Sequence, residues 1–348
     1  MFLEVKQAPC AEVPGRLMKM IQTILDYSIQ SLVQEPDFEE LSESVEEDFR
    51  YLFGRAAVHS AIEELFELPY IERTVLCEAF ENDSEFKDHI NDASYSFRRI
   101  PENENKVLSN LCNALYDEVR SGLPAGNKTE FNVRLLQTQF AQTNGALGRV
   151  CPVCVRELVF PLGEGEVDHY FPRKKYPALA LHPYNLLPIC SDCNGVRMKH
   201  MKSPFEASDR GPGELRNVYL PYLRAARPEI EFKVSGDESR RILMRPVPGA
   251  DGYAGRRIEN MERLYHLGER WSEILQFVCD DVMAELAEQR RDTDTREEWI
   301  EKLRGILRSN AQSTRDRIEF VKGIYCGWLN EKTDQELENI FGSGKTEV

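Results

Sequence analysis

Up to about residue 140, apolar residues recur at helical spacing. Leu17, Ile21, Ile24, Leu25 and Leu32 mark one stretch, and Leu41, Val45, Phe49 and Leu52 a second. Further helices are predicted around Ala57–Leu68, Ile71–Phe80, Lys106–Val119 and Glu130–Thr143, separated by Leu-Pro, Asn-Asp and Pro-Ala-Gly-Asn turn signals. From Val150 the texture changes to short β-type runs rich in Cys, Pro and Gly. Arg156–Pro161 reads as a strand, Leu162–Gly165 as a turn and Glu166–Tyr170 as the returning strand. Asn185–Cys190 follows, then a short helix near Asp192–Met201 that stops before Pro204. Glu229–Val234 and Arg241–Val247 read as a β-hairpin about a Ser-Gly-Asp-Glu turn. The remainder is helical. Ile258, Met261, Leu264, Trp271, Leu275 and Val278 run along one long stretch, and Trp299–Leu307 and Ile318–Trp328 supply two more. Gly342–Val348 reads as a frayed end.

This pattern predicts an α+β fold, mostly α-helical, in four parts. Residues 1–145 form an acidic helical domain, 146–205 a central module, 206–250 a β-hairpin extension and 251–348 a C-terminal helical domain. No run of 18 apolar residues occurs, so no membrane span is expected. The first residues lack the basic start and apolar stretch of a secretory signal, and a cytoplasmic location is expected.

Charge changes the picture only when it is resolved by segment. The chain of 348 residues carries 44 Lys+Arg against 59 Asp+Glu, a net of −15, which argues against a nucleic-acid partner. Residues 1–100 hold 9 against 21, a net of −12, whereas residues 151–250 hold 15 against 12, a net of +3. A mildly basic region therefore sits inside an acidic protein.

Nine cysteines need a reason. Cys10, Cys77, Cys112, Cys279 and Cys326 are scattered singly, four of them among apolar neighbours. The other four form two i,i+3 pairs, Cys151-Pro-Val-Cys154 and Cys190-Ser-Asp-Cys193. Two such knuckles supply the thiolates of a closed, structural zinc site that staples a small ββα unit with too little core of its own.

Between the knuckles lies Val167-Asp168-His169-Tyr170-Phe171-Pro172. A carboxylate beside an imidazole is what hydrolytic metal chemistry needs: the carboxylate holds a hard cation and the imidazole takes a proton from water. On a strand the two side chains point to opposite faces unless the chain turns, and Pro172 favours a turn. Asn194 follows the second knuckle and can offer a neutral oxygen to a hard ion. An amide at Asn185 can bridge backbone groups of the loop carrying His169. Arg173, Lys174 and Lys175 after the Asp-His turn, with Arg197, Lys199 and Lys202 after the second knuckle, form a candidate phosphate track. Glu166 shares the strand face of Asp168 and is a candidate auxiliary ligand, and His200 a weaker candidate for a phosphate contact. His182 reads as structural.

Taken together, Cys-Pro-x-Cys, Val-Asp-His-Tyr-x-Pro and Asn-Leu-x-Pro-x-Cys-x-x-Cys-Asn resemble the zinc-knuckle branch of the HNH endonucleases, the ββα-metal or His-Me finger nucleases. The resemblance covers Arg149 to about Phe205 and implies a metal-dependent nuclease acting on nucleic acid, with DNA the expected substrate. It implies His169 as general base, Asp168 and Asn194 as ligands of a catalytic Mg²⁺ or Mn²⁺, and Asn185 as the residue that positions His169. It also implies a structural Zn²⁺ on the four cysteines. Asn at 194 departs from the commoner His and leaves the metal preference open. By the same resemblance, the helical flanks suit a bacterial restriction or anti-phage defence effector that works beside an ATPase or sensor protein docked on its acidic regions. The competing expectation is a non-catalytic zinc-binding adaptor that uses the same fold to bind nucleic acid or protein.

Overall fold

The computed structural model describes residues 2–30, 35–121, 131–158, 165–205, 214–235, 240–290, 295–311 and 316–341. Helices α1 (Glu12–Gln30), α2 (Phe38–Glu43), α3 (Ala56–Glu67), α4 (Tyr70–Ser84), α5 (Glu102–Ser121) and α6 (Val133–Asn144) come first. Strands β1 (Gly165–His169) and β2 (Leu186–Cys190) and helix α7 (Ser191–Asn194) form the middle, followed by β3 (Ile230–Val234) and β4 (Ile242–Pro246). Helices α8 (Ala254–Tyr265), α9 (Leu267–Glu288), α10 (Arg296–Asn310), α11 (Arg317–Asn330) and α12 (Asp334–Phe341) close the chain. No helix is long and apolar enough to cross a membrane.

Amphipathic spacing builds the helical part. In α5 the buried residues Val107, Leu108, Leu111, Cys112, Leu115, Tyr116 and Val119 make one stripe, which faces α3 and α4. The expected helix through Leu41 and Leu52 is divided. α2, capped by the Asp37 carboxylate on the Glu39 and Glu40 amides, gives way to a 3-10 segment at Glu47–Gly54.

Two small antiparallel sheets form. In the first, Gly165 faces Cys190, Asp168 faces Leu187 and His169 faces Leu186. Of the expected strand Arg156–Pro161, the described residues show the isolated bridge of Glu157 with Val150, and residues 159–164, which hold the rest of that strand and most of the expected turn, lie outside the described residues. The strand seen beside β1 is the Leu186–Cys190 run. The reason is the second knuckle: bringing Cys190 against Cys151 lays the Leu186–Cys190 run beside β1. In the second sheet β3 and β4 pair as the expected hairpin, Ile230 with Pro246 and Val234 with Ile242; the turn at 236–239 lies outside the described residues. The expected end at Gly342–Val348 also lies outside them.

Two further expectations are corrected. The helix after the second knuckle spans only Ser191–Asn194 and ends at Gly195, whose backbone is extended. The chain then turns inward so that Lys199 is buried. The long C-terminal stretch is two helices, broken at His266, which sits in the left-handed region at φ 48 and ψ 45. Its N–H donates to Glu262 O at 2.8 Å, ending α8, and the Glu262 carboxylate accepts from Gly268 N at 3.0 Å at the start of α9.

One buried apolar cluster runs from Phe2 to Phe341 and includes residues of all four predicted segments. Two aromatic groups join the parts. Phe86 and Phe97 of the N-terminal segment pack against Phe171 of the central module, with ring centroids 5.5 and 5.1 Å apart. Phe2 meets Trp271 of α9 at 5.1 Å, and Trp271 meets Phe320 of α11 at 5.0 Å.

His266 offers a direct check on the helix break. A left-handed conformation costs a side-chain-bearing residue about 1 kcal/mol more than glycine. His266→Gly is expected to raise the unfolding free energy by about that amount, read from the denaturant midpoint, whereas an unchanged or lowered midpoint contradicts the strained break.

Candidate functional site

The two knuckles close on one point. Cys151, Cys154, Cys190 and Cys193 are all buried, and their sulfurs lie within 4.8 Å of one another. Among the described residues this is the one group of three or more His, Cys, Asp or Glu side chains gathered closely enough to hold a metal ion. Zinc–sulfur bonds of about 2.3 Å in a tetrahedron put sulfurs about 3.8 Å apart. Cys154 and Cys190 Sγ are 3.6 Å apart, so the four thiols fit an ion such as zinc. Charge around them fits as well. Arg270 Nη1 of α9 lies 3.4 Å from Cys193 Sγ, and Trp271 Nε1 donates to Cys154 O at 3.3 Å. Burial by itself lowers the Arg270 pKa, but the Cys193 and Cys154 sulfurs outweigh it and raise it. Nothing in the sequence ties Arg270 to the knuckles 77 residues earlier.

His169, at the end of β1, is half-buried. Its Nε2 lies 3.0 Å from Ala180 O. A carbonyl only accepts, so Nε2 carries the proton and Nδ1 keeps its lone pair. Burial first, and then the charge of Arg173, hold the imidazole well below its usual pKa, against the opposing pull of the Ala180 carbonyl; the ring is neutral at neutral pH. Tyr116 of α5 meets the ring edge to face at 4.6 Å.

Asn185 is fully buried and braces this loop. Its Oδ1 accepts from Phe171 N at 2.6 Å, and its Nδ2 donates to Phe171 O at 3.1 Å and Leu179 O at 2.8 Å. The backbone joining His169 to Ala180 is thus tied to one side chain. The amide at 185 bridges the groups its sequence position suggested.

Asp168 and Asn194 have separate partners. Asp168 is buried, and its Oδ1 accepts from Lys199 Nζ at 2.7 Å, while Oδ2 is buried without a partner. Burial raises the Asp168 pKa, with Lys199 opposing. Asn194 donates its Nδ2 to Glu166 Oε2 at 2.5 Å. A hydrated Mg²⁺ or Mn²⁺ keeps several waters. A carboxylate 3% exposed and already neutralised by an ammonium does not fit such an ion as it stands. The accessible carboxylate on this face is Glu166.

The expected cation track is divided. Lys174, Lys175 and Arg197 are exposed. Arg173 is half-buried: its guanidinium lies over Tyr116 at 5.1 Å and donates to Asn113 Oδ1 at 2.9 Å. Lys199 is not on the surface at all. Its ammonium is fully buried, donating to Asp168 Oδ1 and, at 2.6 Å, to His169 O, because a carboxylate buried in β1 needs a counter-charge. His182 is buried, its Nε2 3.0 Å from Ser84 O, and His200 is exposed. Asn113, Tyr116 and Asp117 form one i, i+3, i+4 face of α5 toward the His169 loop. Sequence reasoning missed that face, and its only local signal is that spacing.

No family model, curated protein or solved structure matches the chain.

Two measurements check this geometry. Metal analysis of the purified chain is expected to find an ion such as zinc, with occupancy lost in Cys154→Ser and the unfolding midpoint lowered by chelation. A chain free of metal and indifferent to chelators contradicts the fit. Lys199→Met is expected to cost about 3–5 kcal/mol, because it leaves a buried carboxylate unpaired. The double variant Lys199→Met with Asp168→Leu is expected to recover much of that loss in a denaturant titration. Equal losses in both contradict a buried ion pair.

Proposed function

We propose that this chain is an HNH-type endonuclease that hydrolyses phosphodiester bonds of nucleic acid, DNA being the expected substrate. The observation that carries this reading is the pinned imidazole: His169 Nε2 on the Ala180 carbonyl, in a loop braced by Asn185, on a strand whose partner ends at Cys190 of the four-cysteine cluster. With Nε2 committed as a donor, Nδ1 is the nitrogen that accepts a proton from water as the water attacks phosphorus. The P–O bond to the leaving oxygen breaks in the same displacement, and the alkoxide released takes its proton from solvent water. Depressed basicity keeps the imidazole unprotonated at neutral pH, so it starts as an acceptor, though a weak one while the site is buried.

Positive charge for the phosphate comes from Lys174, Lys175 and Arg197, which are exposed, and from Arg173 at the edge of the His169 loop. Zinc on the four cysteines is a staple in this reading, since four thiolates leave no open position for substrate. A catalytic Mg²⁺ or Mn²⁺ is part of the family resemblance. Asp168, engaged by Lys199, does not fit such an ion in this arrangement. A bacterial restriction or anti-phage role, with an ATPase or sensor as partner, follows from the resemblance alone.

The test is cleavage of plasmid, linear duplex, single-stranded DNA and RNA by the purified chain with Mg²⁺, Mn²⁺ or EDTA. His169→Ala is expected to lose about 10²–10⁴-fold in rate while keeping its cysteine-bound metal. Asn185→Ala is expected to lower kcat more than it changes KM, because it loosens the imidazole and not the phosphate contacts. Cleavage by His169→Ala at the wild-type rate overturns the assignment, and nucleic-acid binding without cleavage under every condition favours the adaptor.

A further inference from the structure

A groove of about 1050 Å³ opens in the N-terminal helical segment, away from the cysteine cluster, with walls from α2, α3 and α4. Arg73 of α4 lines it and is only 5% exposed. Its Nε and Nη1 are shielded from solvent and have no hydrogen-bond partner, and among the described residues no carboxylate pairs with it. The ring of Phe66, 5.3 Å from the guanidinium carbon, is a partial counterpart at most. Burial lowers the Arg73 pKa, but a guanidinium does not shed its proton in a protein. A charge in this position is unfavourable unless an anion meets it.

We propose that this groove binds a carboxylate carried on an apolar body, with Arg73 as its anchor. A guanidinium fork of Nε and a terminal nitrogen matches the two oxygens of a carboxylate, and Arg73 is the cation among the residues that line the groove. The rest of the lining selects the ligand class. Glu35, Glu63 and Glu67 also border the groove and disfavour a multiply charged anion such as a phosphate or nucleotide. Phe38, His59, Phe66 and Tyr70 supply rings to the wall between these glutamates. Phe38 stacks on His59 at 3.8 Å, and Tyr70, 47% exposed, lines the groove beside them. A flat or aliphatic body bearing one negative charge meets both conditions. Two sources present that chemistry: a free small carboxylic acid and the C-terminal carboxylate of a peptide.

The experiment is thermal unfolding of the full chain with added probes: phenylacetate, inorganic phosphate, and a short peptide ending in Phe with a free or an amidated C-terminus. Phenylacetate, the free-acid peptide or both are expected to raise the midpoint by a few degrees, saturably, in the wild type. Inorganic phosphate and the amidated peptide are expected to do less. Arg73→Met is expected to abolish the response and, without ligand, to be at least as stable as wild type, because it removes an uncompensated charge. If Arg73→Met does not fold, Arg73→Gln serves the same comparison. A response to phenylacetate alone identifies a small-molecule acid, and a response to the free-acid peptide alone identifies a chain terminus. No response to either probe, an equal response in the Arg73 variant, or a stronger response to phosphate overturns the proposal. None of these readouts depends on nuclease activity.

Discussion

Four thiols buried at a single point are the constraint on which the central module rests. Cys154 and Cys190 are 36 residues apart in the chain, and joining them decides which strand β1 pairs with. Once β2 lies beside β1, Asn185 at its head reaches back to Phe171 and Leu179, and the Ala180 carbonyl comes under His169. The loop is held by Asn185 and by the ring contacts of Phe171 with the N-terminal segment. The four sulfurs could hold a cation that ties the two knuckles together, and Arg270 of the neighbouring helix lies against Cys193.

The helical flanks are continuous with the module. Phe171 sits among Phe86, Phe97 and Tyr176, so the loop after His169 is cemented to the N-terminal helices by ring contacts. α5 adds the face of Asn113 and Tyr116, which holds Arg173 and touches the imidazole. On the other side Trp271 donates to the first knuckle and packs on Phe2 and Phe320. Both flanks therefore pack directly on the module, one at the loop after His169 and the other at the first knuckle.

Charge behaves differently at each scale. The whole chain is acidic, while Lys174, Lys175 and Arg197 stand exposed around the module. Lys199 belongs to the same basic run in the sequence yet has a different physical role, because the carboxylate of Asp168 is turned into the protein and recruits it. The reverse holds at Arg73, a buried cation that no carboxylate among the described residues meets, although Glu63 and Glu67 border the same groove. Only the fold distinguishes a compensated buried charge from an uncompensated one.

Local pattern was enough for much of the structure. Helical periodicity marked α1, α3 to α6, α10 and α11, alternation marked the β3–β4 hairpin, and the spacing of two Cys-x-x-Cys pairs announced that four sulfurs would meet. The amide at 185 was legible for the same reason: a short buried polar side chain inside a Cys- and Pro-bounded loop has only backbone to bond. What tertiary structure alone decided was partnership at long range. The pairing of β1 with β2, the break at His266, the burial of Lys199 and the approach of Tyr116 to His169 each depend on a contact between residues far apart in the chain or on a backbone state that periodicity does not encode. Spacing determines which faces a segment presents, whereas which face meets which is set by the packing of the whole chain.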